Sequence, residues 1–123
     1  GSPYISYADP DLLHWLNVNG FATGVTLTAP GFYAPQGRQS RAPVSHPDYL
    51  DKIKSISLGT IGNITNIEME TAGIYALGGS LGHACLSVNA ILANRSTGDF
   101  SRNPEATISR MIETVLQKIS ELP

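Results

Sequence analysis

Segments with the pattern of a β-strand alternate along this chain with segments that have the pattern of an α-helix. Strand patterns occur at residues 21–30 (FATGVTLTAP), where Pro30 ends the strand, at 62–70 (GNITNIEME) and at 83–94 (HACLSVNAILAN). The last of these is a nearly continuous apolar run, which is typical of a central strand covered on both faces. The alternation predicts a layered α/β fold, in which helices pack on a sheet.

The first and last predicted helices have the clearest start signals. At residues 7–20 (YADPDLLHWLNVNG), Asp9 is predicted to be the N-cap, Pro10 the first helical residue and Gly20 the terminator. The last helix is predicted to begin at Asn103 and Pro104. Each has an apolar stripe that is predicted to face inward: Leu12, Leu13 and Leu16 in the first helix, and Ile108, Met111, Ile112, Val115, Leu116 and Ile119 in the last.

Two further helices are predicted between these. Residues 46–56 (HPDYLDKIKSI) have Pro47 in the first turn, with Leu50, Ile53 and Ile56 on the inward face. Residues 71–82 (TAGIYALGGSLG) are rich in glycine, which disfavours a free helix. A buried helix that packs closely on a sheet tolerates such small residues, and that is the prediction for this segment.

Composition and charge argue against several kinds of partner. The 123 residues carry a net charge of −2, and Lys and Arg form no run or stripe, so neither nucleic acid nor an anionic membrane surface is expected. No apolar stretch approaches the ~18 residues of a membrane helix. Cys85 has no second cysteine to pair with, which favours a reducing, cytoplasmic setting. His14, His46 and His83 lack the spacing of metal ligands, so no metal site is predicted.

Residues 31–43 (GFYAPQGRQSRAP) have the composition of a functional loop, with glycines, prolines, arginines and aromatic rings together. The carboxamide of Gln36 can pair with a neighbouring acceptor and N–H on a planar ring, and Arg38 can meet an exocyclic oxygen. Phe32 offers an aromatic face or edge. These side chains suit a uracil-like ring, and the alternative is an ordinary surface loop.

Two acids, Glu68 and Glu70, flank Met69 at the end of a predicted strand. Residues two apart on a strand point to the same face, which would place both carboxylates together with Met69 opposite. The carboxyl end of a strand is the edge at which open α/β sheets bind ligands, and a carboxylate can accept hydrogen bonds from both hydroxyls of a ribose. The alternatives are solvated acids or acids paired with an arginine. A metal site lacks further ligands nearby in the sequence.

Three of these motifs together, GFYAPQGR, NIEMETAGIYAL and ILANR, resemble the carboxy-terminal half of nucleoside phosphorylases and are most similar to uridine phosphorylases. The resemblance extends from about Tyr7 to the end of the chain. It implies a partial three-layer α/β/α fold with a central mixed sheet. It also implies that residues 1–123 form the carboxy-terminal half of a single domain, whose amino-terminal half is absent.

The resemblance implies a role for each matching residue on the sugar side and on the base side. Glu70 would hold the ribose 2′- and 3′-hydroxyls, Met69 would line the sugar, and Glu68 would be a neighbouring acid. The base side would consist of residues that read, pack against or enclose uracil: Gln36, Arg38, Phe32, Leu92, Ala93 and Arg95. The catalytic residues would be Arg38 and Gln36, which stabilise the negative charge on the departing uracil, and Glu70, which holds the sugar in the reactive pose. Purine phosphorylases and nucleosidases tend to carry Ser-Asp where this chain has Asn94-Arg95.

The implied reaction is the reversible phosphorolysis of uridine to uracil and ribose 1-phosphate, catalysed by a pentosyltransferase of nucleoside salvage. The implied enzyme needs no cofactor, uses phosphate as co-substrate, and is a cytoplasmic homo-oligomer. Its phosphate site would come from the missing half and a neighbouring subunit, so the chain alone is expected to be inactive. The alternatives are a purine nucleoside phosphorylase or nucleosidase, a nucleoside-binding module without catalysis, and a purely structural fragment.

Overall fold

The structure, a computed structural model, describes residues 2–122. The chain divides between Ser87 and Val88 into two units, each of which is described by itself. Both helices and short sheets are present, so the mixed α/β class is confirmed. No helix within residues 2–122 is both long enough and apolar enough to cross a membrane.

The first unit contains a parallel pair of strands and three α-helices, of which one lies between the two strands in the chain. Its regular elements are α1 (Pro10–Val18), β1 (Val25–Thr28), α2 (Tyr49–Ser55), β2 (Ile64–Glu68) and α3 (Thr71–Ser80). Strands β1 and β2 lie side by side in parallel, and the last residue of β1, Thr28, is opposite the last residue of β2, Glu68. Helix α3 follows β2 directly and packs against β1. Both strands therefore end at the same edge of the sheet.

Helix α1 begins as its sequence predicts. The Asp9 side chain accepts hydrogen bonds from the backbone N–H of Asp11 at 3.1 Å and of Leu12 at 2.9 Å, and Pro10 is the first helical residue. Leu16 is buried, but Leu13 is 38% exposed, so the predicted stripe is narrower than expected. Leu12 and Leu16 are four residues apart and share a face, whereas Leu13 lies about 100° from Leu12 around the axis.

Helix α2 is shorter than predicted. It begins at Tyr49, with Asp48 as its N-cap residue, so Pro47 lies before the helix and not in its first turn. Ile53 is buried, as predicted, and Leu50 is partly buried, whereas Ile56 lies beyond the end of the helix and is exposed. Of the hydrophobic residues that the structure describes, only Leu16, Ala29 and Ile53 are buried. The core of this unit is therefore small.

Helix α3 forms where predicted, but it is not buried along its length. Thr71 is the one buried residue of this helix, while Ile74 is 54% and Leu77 is 64% exposed. The physical reason is the width of the sheet. Two strands span roughly 10 Å, counted as about 5 Å per strand, which is about the diameter of a single helix, so the sheet can cover one side of α3 and leaves its other sides exposed. The two-stranded sheet covers only part of the helix.

The second unit contains a short hairpin, β3 (Ala93–Asn94) and β4 (Asp99–Phe100), followed by α4 (Pro104–Ser120). The predicted central strand at 83–94 is wrong except for its last two residues, because the described residues 83–92 are not assigned to any strand. An apolar run becomes a strand only when a neighbouring strand pairs with its backbone, and in this run only Ala93 and Asn94 are paired with a strand, while Cys85 and Leu92 each accept a single backbone hydrogen bond.

Helix α4 starts at the predicted cap, where the Asn103 side chain accepts a hydrogen bond from the Ala106 N–H at 3.0 Å. Its apolar stripe does not face a core. None of its residues is buried, and four members of the stripe are from 37% to 60% exposed: Ile108, Ile112, Leu116 and Ile119. The prediction that this stripe points inward is therefore wrong for the described structure.

Candidate functional site

The two segments that the sequence singles out leave the sheet at the same edge. The loop with Phe32, Gln36 and Arg38 follows β1, and the acids follow β2. Where the strands end, the backbone N–H of Ala29 donates to the carbonyl oxygen of Glu68 at 2.8 Å. Because parallel strands end in register here, the candidate base-side and sugar-side segments begin next to each other.

Phe32, Gln36 and Arg38 contact one another, and we call them the loop cluster. Arg38 Nη1 donates to the backbone oxygen of Phe32 at 2.8 Å and also donates to Gln36 Oε1. The guanidinium carbon of Arg38 lies 4.0 Å from the centroid of the Phe32 ring, which is a cation–π contact. Residues predicted from sequence to act together are therefore close together.

The backbone of the loop cluster reverses at Gly37. A short 3-10 turn at Ala34–Gln36 ends at this glycine, which has a φ of 66°. A Cβ at this position would lie 2.5 Å from Tyr49 Cδ1, so the aromatic ring of Tyr49, the first residue of α2, packs directly against the glycine. This reversal of the chain brings the Arg38 side chain back into contact with Phe32. It requires a left-handed backbone conformation, which glycine adopts without steric cost.

The members of the loop cluster differ in exposure. Gln36 is only 4% exposed and its side-chain oxygen is engaged by Arg38, whereas Phe32 is 53% exposed and Arg38 is partly buried. Both side-chain hydrogen bonds of Arg38 come from Nη1, and within residues 2–122 its Nε and Nη2 atoms make no hydrogen bond. The cluster can therefore present an aromatic ring and a partly unengaged guanidinium to a ligand, with Gln36 orienting the guanidinium.

Glu68 is held by a set of hydrogen bonds at the start of α3. Its Oε2 accepts from the backbone N–H of Glu70 at 2.6 Å and of Thr71 at 2.7 Å, and its Oε1 accepts from the Thr28 hydroxyl. Burial alone would raise the pKa of the Glu68 carboxyl, but these hydrogen bonds outweigh burial, and the pKa lies below its ordinary value. Glu68 is thus an ionised cap of α3.

Glu70 differs from Glu68 in its surroundings, which corrects the prediction that both carboxylates share a strand face. Strand β2 ends at Glu68, so Met69 and Glu70 lie beyond the strand. Glu70 is the N-cap residue of α3, with no side-chain capping bond, and its carboxylate has no hydrogen-bond or ion-pair partner within residues 2–122. Glu70 is exposed and Met69 is 39% exposed, so both can contact a ligand.

The remaining predicted residues, Leu92, Ala93 and Arg95, lie in the second unit. The carbonyl oxygen of Leu92 accepts a hydrogen bond from the Ser101 N–H at 2.7 Å, and Ala93 is opposite Phe100 in the hairpin. Leu92 and Arg95 are partly buried, and Ala93 is exposed. In the structure, Ala93 is thus part of the hairpin, Leu92 directly precedes its first strand, and Arg95 lies in its turn.

Sequence reasoning missed Thr28, whose hydroxyl joins β1, Glu68 and α3. It also missed an open depression of about 280 Å³ beside the loop cluster, whose lining contains none of the predicted site residues. The lining consists of residues from the loop and from the start of α2: Ala34, Pro35, Gly37, Val44, Ser45, His46 and Tyr49.

Within residues 2–122, no three His, Cys, Asp or Glu side chains are grouped so that they could hold a metal ion. Comparisons with protein-family models, with curated proteins and with solved structures find no match to this chain.

Proposed function

We propose that this chain carries the nucleoside-binding half of an enzyme of the uridine phosphorylase type, a pentosyltransferase of nucleoside salvage. The observation that supports this proposal is the common edge of the parallel strands, from which the loop cluster and the Glu68–Glu70 segment both emerge. A nucleoside consists of a planar base and a sugar that carries a diol. Its binding site therefore needs residues that bind the base next to residues that bind the diol. The proposal extends the fold to a three-layer α/β/α arrangement, in which β1 and β2 belong to a wider mixed sheet.

On the base side, Arg38 stabilises the departing uracil in this proposal. Negative charge grows on the base as the glycosidic bond lengthens, and the unengaged Nε and Nη2 atoms of Arg38 donate to it. Such a contact is stronger in the transition state than in the ground state, which lowers the barrier. Phe32 packs against the base. Gln36 contributes by orienting the guanidinium, since its oxygen already accepts a hydrogen bond from Arg38.

On the sugar side, the exposed carboxylate of Glu70 accepts hydrogen bonds from the 2′- and 3′-hydroxyls of ribose. Its backbone is fixed at both ends, because its N–H donates to Glu68 and its carbonyl accepts from the Ile74 N–H at 3.1 Å. A fixed backbone below an exposed carboxylate lowers the entropy lost when the diol binds. Met69 lines the sugar beside it.

In the proposed reaction, phosphate attacks the anomeric carbon as the bond from that carbon to the uracil nitrogen breaks. The electron pair of that bond leaves with the base, which takes up, through solvent, the proton that the phosphate releases on forming its ester bond, and the products are ribose 1-phosphate and uracil. The proposal assigns the phosphate site to residues outside this chain and invokes no cofactor. It assigns Leu92, Ala93 and Arg95 to the base pocket of the assembled enzyme, a cytoplasmic homo-oligomer.

The test is an amide NMR titration of the purified chain with uracil, uridine and adenosine. We expect uracil and uridine to shift the signals of residues 32–38, and uridine to shift those of residues 68–71 as well. Arg38→Ala should weaken uracil binding by about tenfold or more, because it removes a charge-assisted contact worth about 1.5–3 kcal/mol. Arg41→Ala is the matched control, since it removes the same charge from an exposed position of the same loop.

Two outcomes would contradict the proposal. One is an equal loss of uracil binding in Arg38→Ala and Arg41→Ala, and the other is binding of adenosine in preference to uridine, which would favour a purine enzyme. A parallel assay of uridine cleavage with and without phosphate should show no turnover by this chain alone. Cleavage without phosphate would indicate a hydrolytic nucleosidase.

A further inference from the structure

The hydroxyl group of Thr28 lies at a junction of three elements. Thr28 is the last residue of β1, and its Oγ1 donates a hydrogen bond to Glu68 Oε1 at the end of β2. The same oxygen accepts a hydrogen bond from the Ala72 N–H in the first turn of α3 at 2.9 Å. One hydroxyl therefore connects both strand ends to the helix that follows them.

Together with Glu68, this hydroxyl binds three successive amides at the start of α3. Glu68 Oε2 accepts from the N–H of Glu70 and of Thr71, and Thr28 Oγ1 accepts from that of Ala72. The first N–H groups of a helix have no partner within the helix, so a side chain or water must satisfy them. We call Thr28 and Glu68, with their hydrogen bonds to these amides, the Thr28–Glu68 clamp.

The clamp fixes the position from which the Glu70 side chain emerges. The Glu68 carboxylate is anchored at one oxygen by Thr28 and at the other by the two amides, so it has little freedom to rotate. Thr28 is also four residues before Phe32, where the loop cluster begins. A single side chain thus connects the segment that holds the base to the segment that holds the sugar.

We propose that Thr28 is a positioning residue for nucleoside binding, which acts through Glu68 to hold Glu70 at a set distance from the loop cluster. This inference rests on the proposed function, because the placement of Glu70 matters to a ligand only if that ligand carries a diol. It follows that Thr28 affects the binding of uridine, which contacts both segments, and does not affect the binding of free uracil, which contacts the loop cluster alone.

A purely structural role for Thr28 has a different consequence. If the clamp only stabilised the fold, its loss would weaken every ligand that the first unit binds, uracil included. Loss of positioning instead weakens uridine selectively, because the base contacts stay in place while the carboxylate moves. The ratio of uridine affinity to uracil affinity therefore distinguishes the two roles.

The experiment uses the whole chain with Thr28→Val, which keeps the shape of the side chain without its hydroxyl, and Thr28→Ser, which keeps the hydroxyl. Thr26→Val is the matched control, because Thr26 is a partly buried threonine of the same strand whose hydroxyl makes no hydrogen bond within residues 2–122. Binding of uridine and of uracil is measured by NMR titration for each variant. Hydrogen exchange at the Glu70, Thr71 and Ala72 amides is measured alongside.

We expect Thr28→Val to weaken uridine binding by about tenfold and to leave uracil binding unchanged, with Thr28→Ser restoring uridine affinity and Thr26→Val having no effect. The three amides should exchange faster in Thr28→Val than in the unsubstituted chain. Unchanged uridine affinity in Thr28→Val overturns the inference, and so does an equal loss for both ligands. If the unsubstituted chain binds neither ligand, the proposed function itself fails and the inference fails with it.

Discussion

Removing the charge of Glu68 should destabilise the first unit in a manner that depends on pH. Three hydrogen bonds end on this carboxylate, from the Thr28 hydroxyl and from the backbone of Glu70 and Thr71. Hydrogen bonds to charged groups contribute about 1.5–3 kcal/mol each when buried, and loss of a helix cap costs about 0.5–2 kcal/mol. Because Glu68 is only partly buried and water can replace its contacts, we expect Glu68→Ala to lower the free energy of unfolding by about 2 kcal/mol.

Glu68→Gln isolates the part of this effect that arises from charge. The glutamine oxygen can still accept from the two backbone amides, and its NH₂ group can donate to the oxygen of Thr28. The variant loses the negative charge next to the N-terminus of α3, where such a charge contributes about 0.3–1 kcal/mol through the helix dipole. It also loses the part of the hydrogen-bond strength that arises from the charge of the acceptor. We expect a loss of about 1 kcal/mol at neutral pH.

The sign of the pH dependence follows from the lowered pKa of Glu68. A carboxyl whose pKa is lower in the folded state than in the unfolded state stabilises the fold above the unfolded pKa, and this contribution is lost as the pH falls through the folded pKa. The difference in stability between the unsubstituted chain and Glu68→Gln should therefore be constant near neutral pH. It should shrink once the pH falls below about 4.3, the ordinary pKa of glutamate, and vanish where Glu68 is protonated.

The assay is urea unfolding followed by the fluorescence of Trp15, the one tryptophan of the sequence, which lies in α1 of the same unit. Glu70→Gln is the matched control, since it removes an exposed carboxylate at the same helix terminus that accepts no hydrogen bond within residues 2–122. A stability loss in Glu68→Gln that is no larger than that in Glu70→Gln would refute the reasoning. A loss that stays the same as the pH falls would refute it as well.

Three further results are expected. Glu70→Gln should weaken uridine binding more than 2′-deoxyuridine binding in NMR titrations, because deoxyuridine lacks one of the two hydroxyls; equal losses would mean that Glu70 does not bind the diol. Gly37→Ala should lower the free energy of unfolding by about 1–3 kcal/mol, since it adds a clash with Tyr49 to the backbone strain. Gly59→Ala, with a φ of 61° and open space around it, should show only the strain. The exposed apolar stripe of α4 should cause self-association that sedimentation detects and Leu116→Lys reduces, whereas an unchanged mass distribution in that variant would exclude the stripe as the contact.

Local signals in the sequence are sufficient for the elements whose causes lie within a few residues. The cap at Asp9 accepts from amides two and three residues later, and the cap at Asn103 accepts from one three residues later, so both helix starts are predicted correctly. Strand β1 ends two residues before Pro30, as its sequence indicates, although it begins at Val25, four residues later than the pattern at 21–30 predicts. The contacts among Phe32, Gln36 and Arg38 also lie within seven residues of chain, and a turn at Gly37 is enough to bring these side chains together.

The different environments of the two acids could not be predicted, because they depend on a residue far away in the sequence. Thr28 and Glu68 are 40 residues apart, and they meet only when β1 and β2 pair in parallel with their ends in register. That pairing, and the end of β2 at Glu68, fix Glu68 as a helix cap and leave Glu70 exposed. The apolar run at 83–94 illustrates the same limit, because hydrophobicity indicates that a segment can be a strand, but only a paired neighbour makes it one.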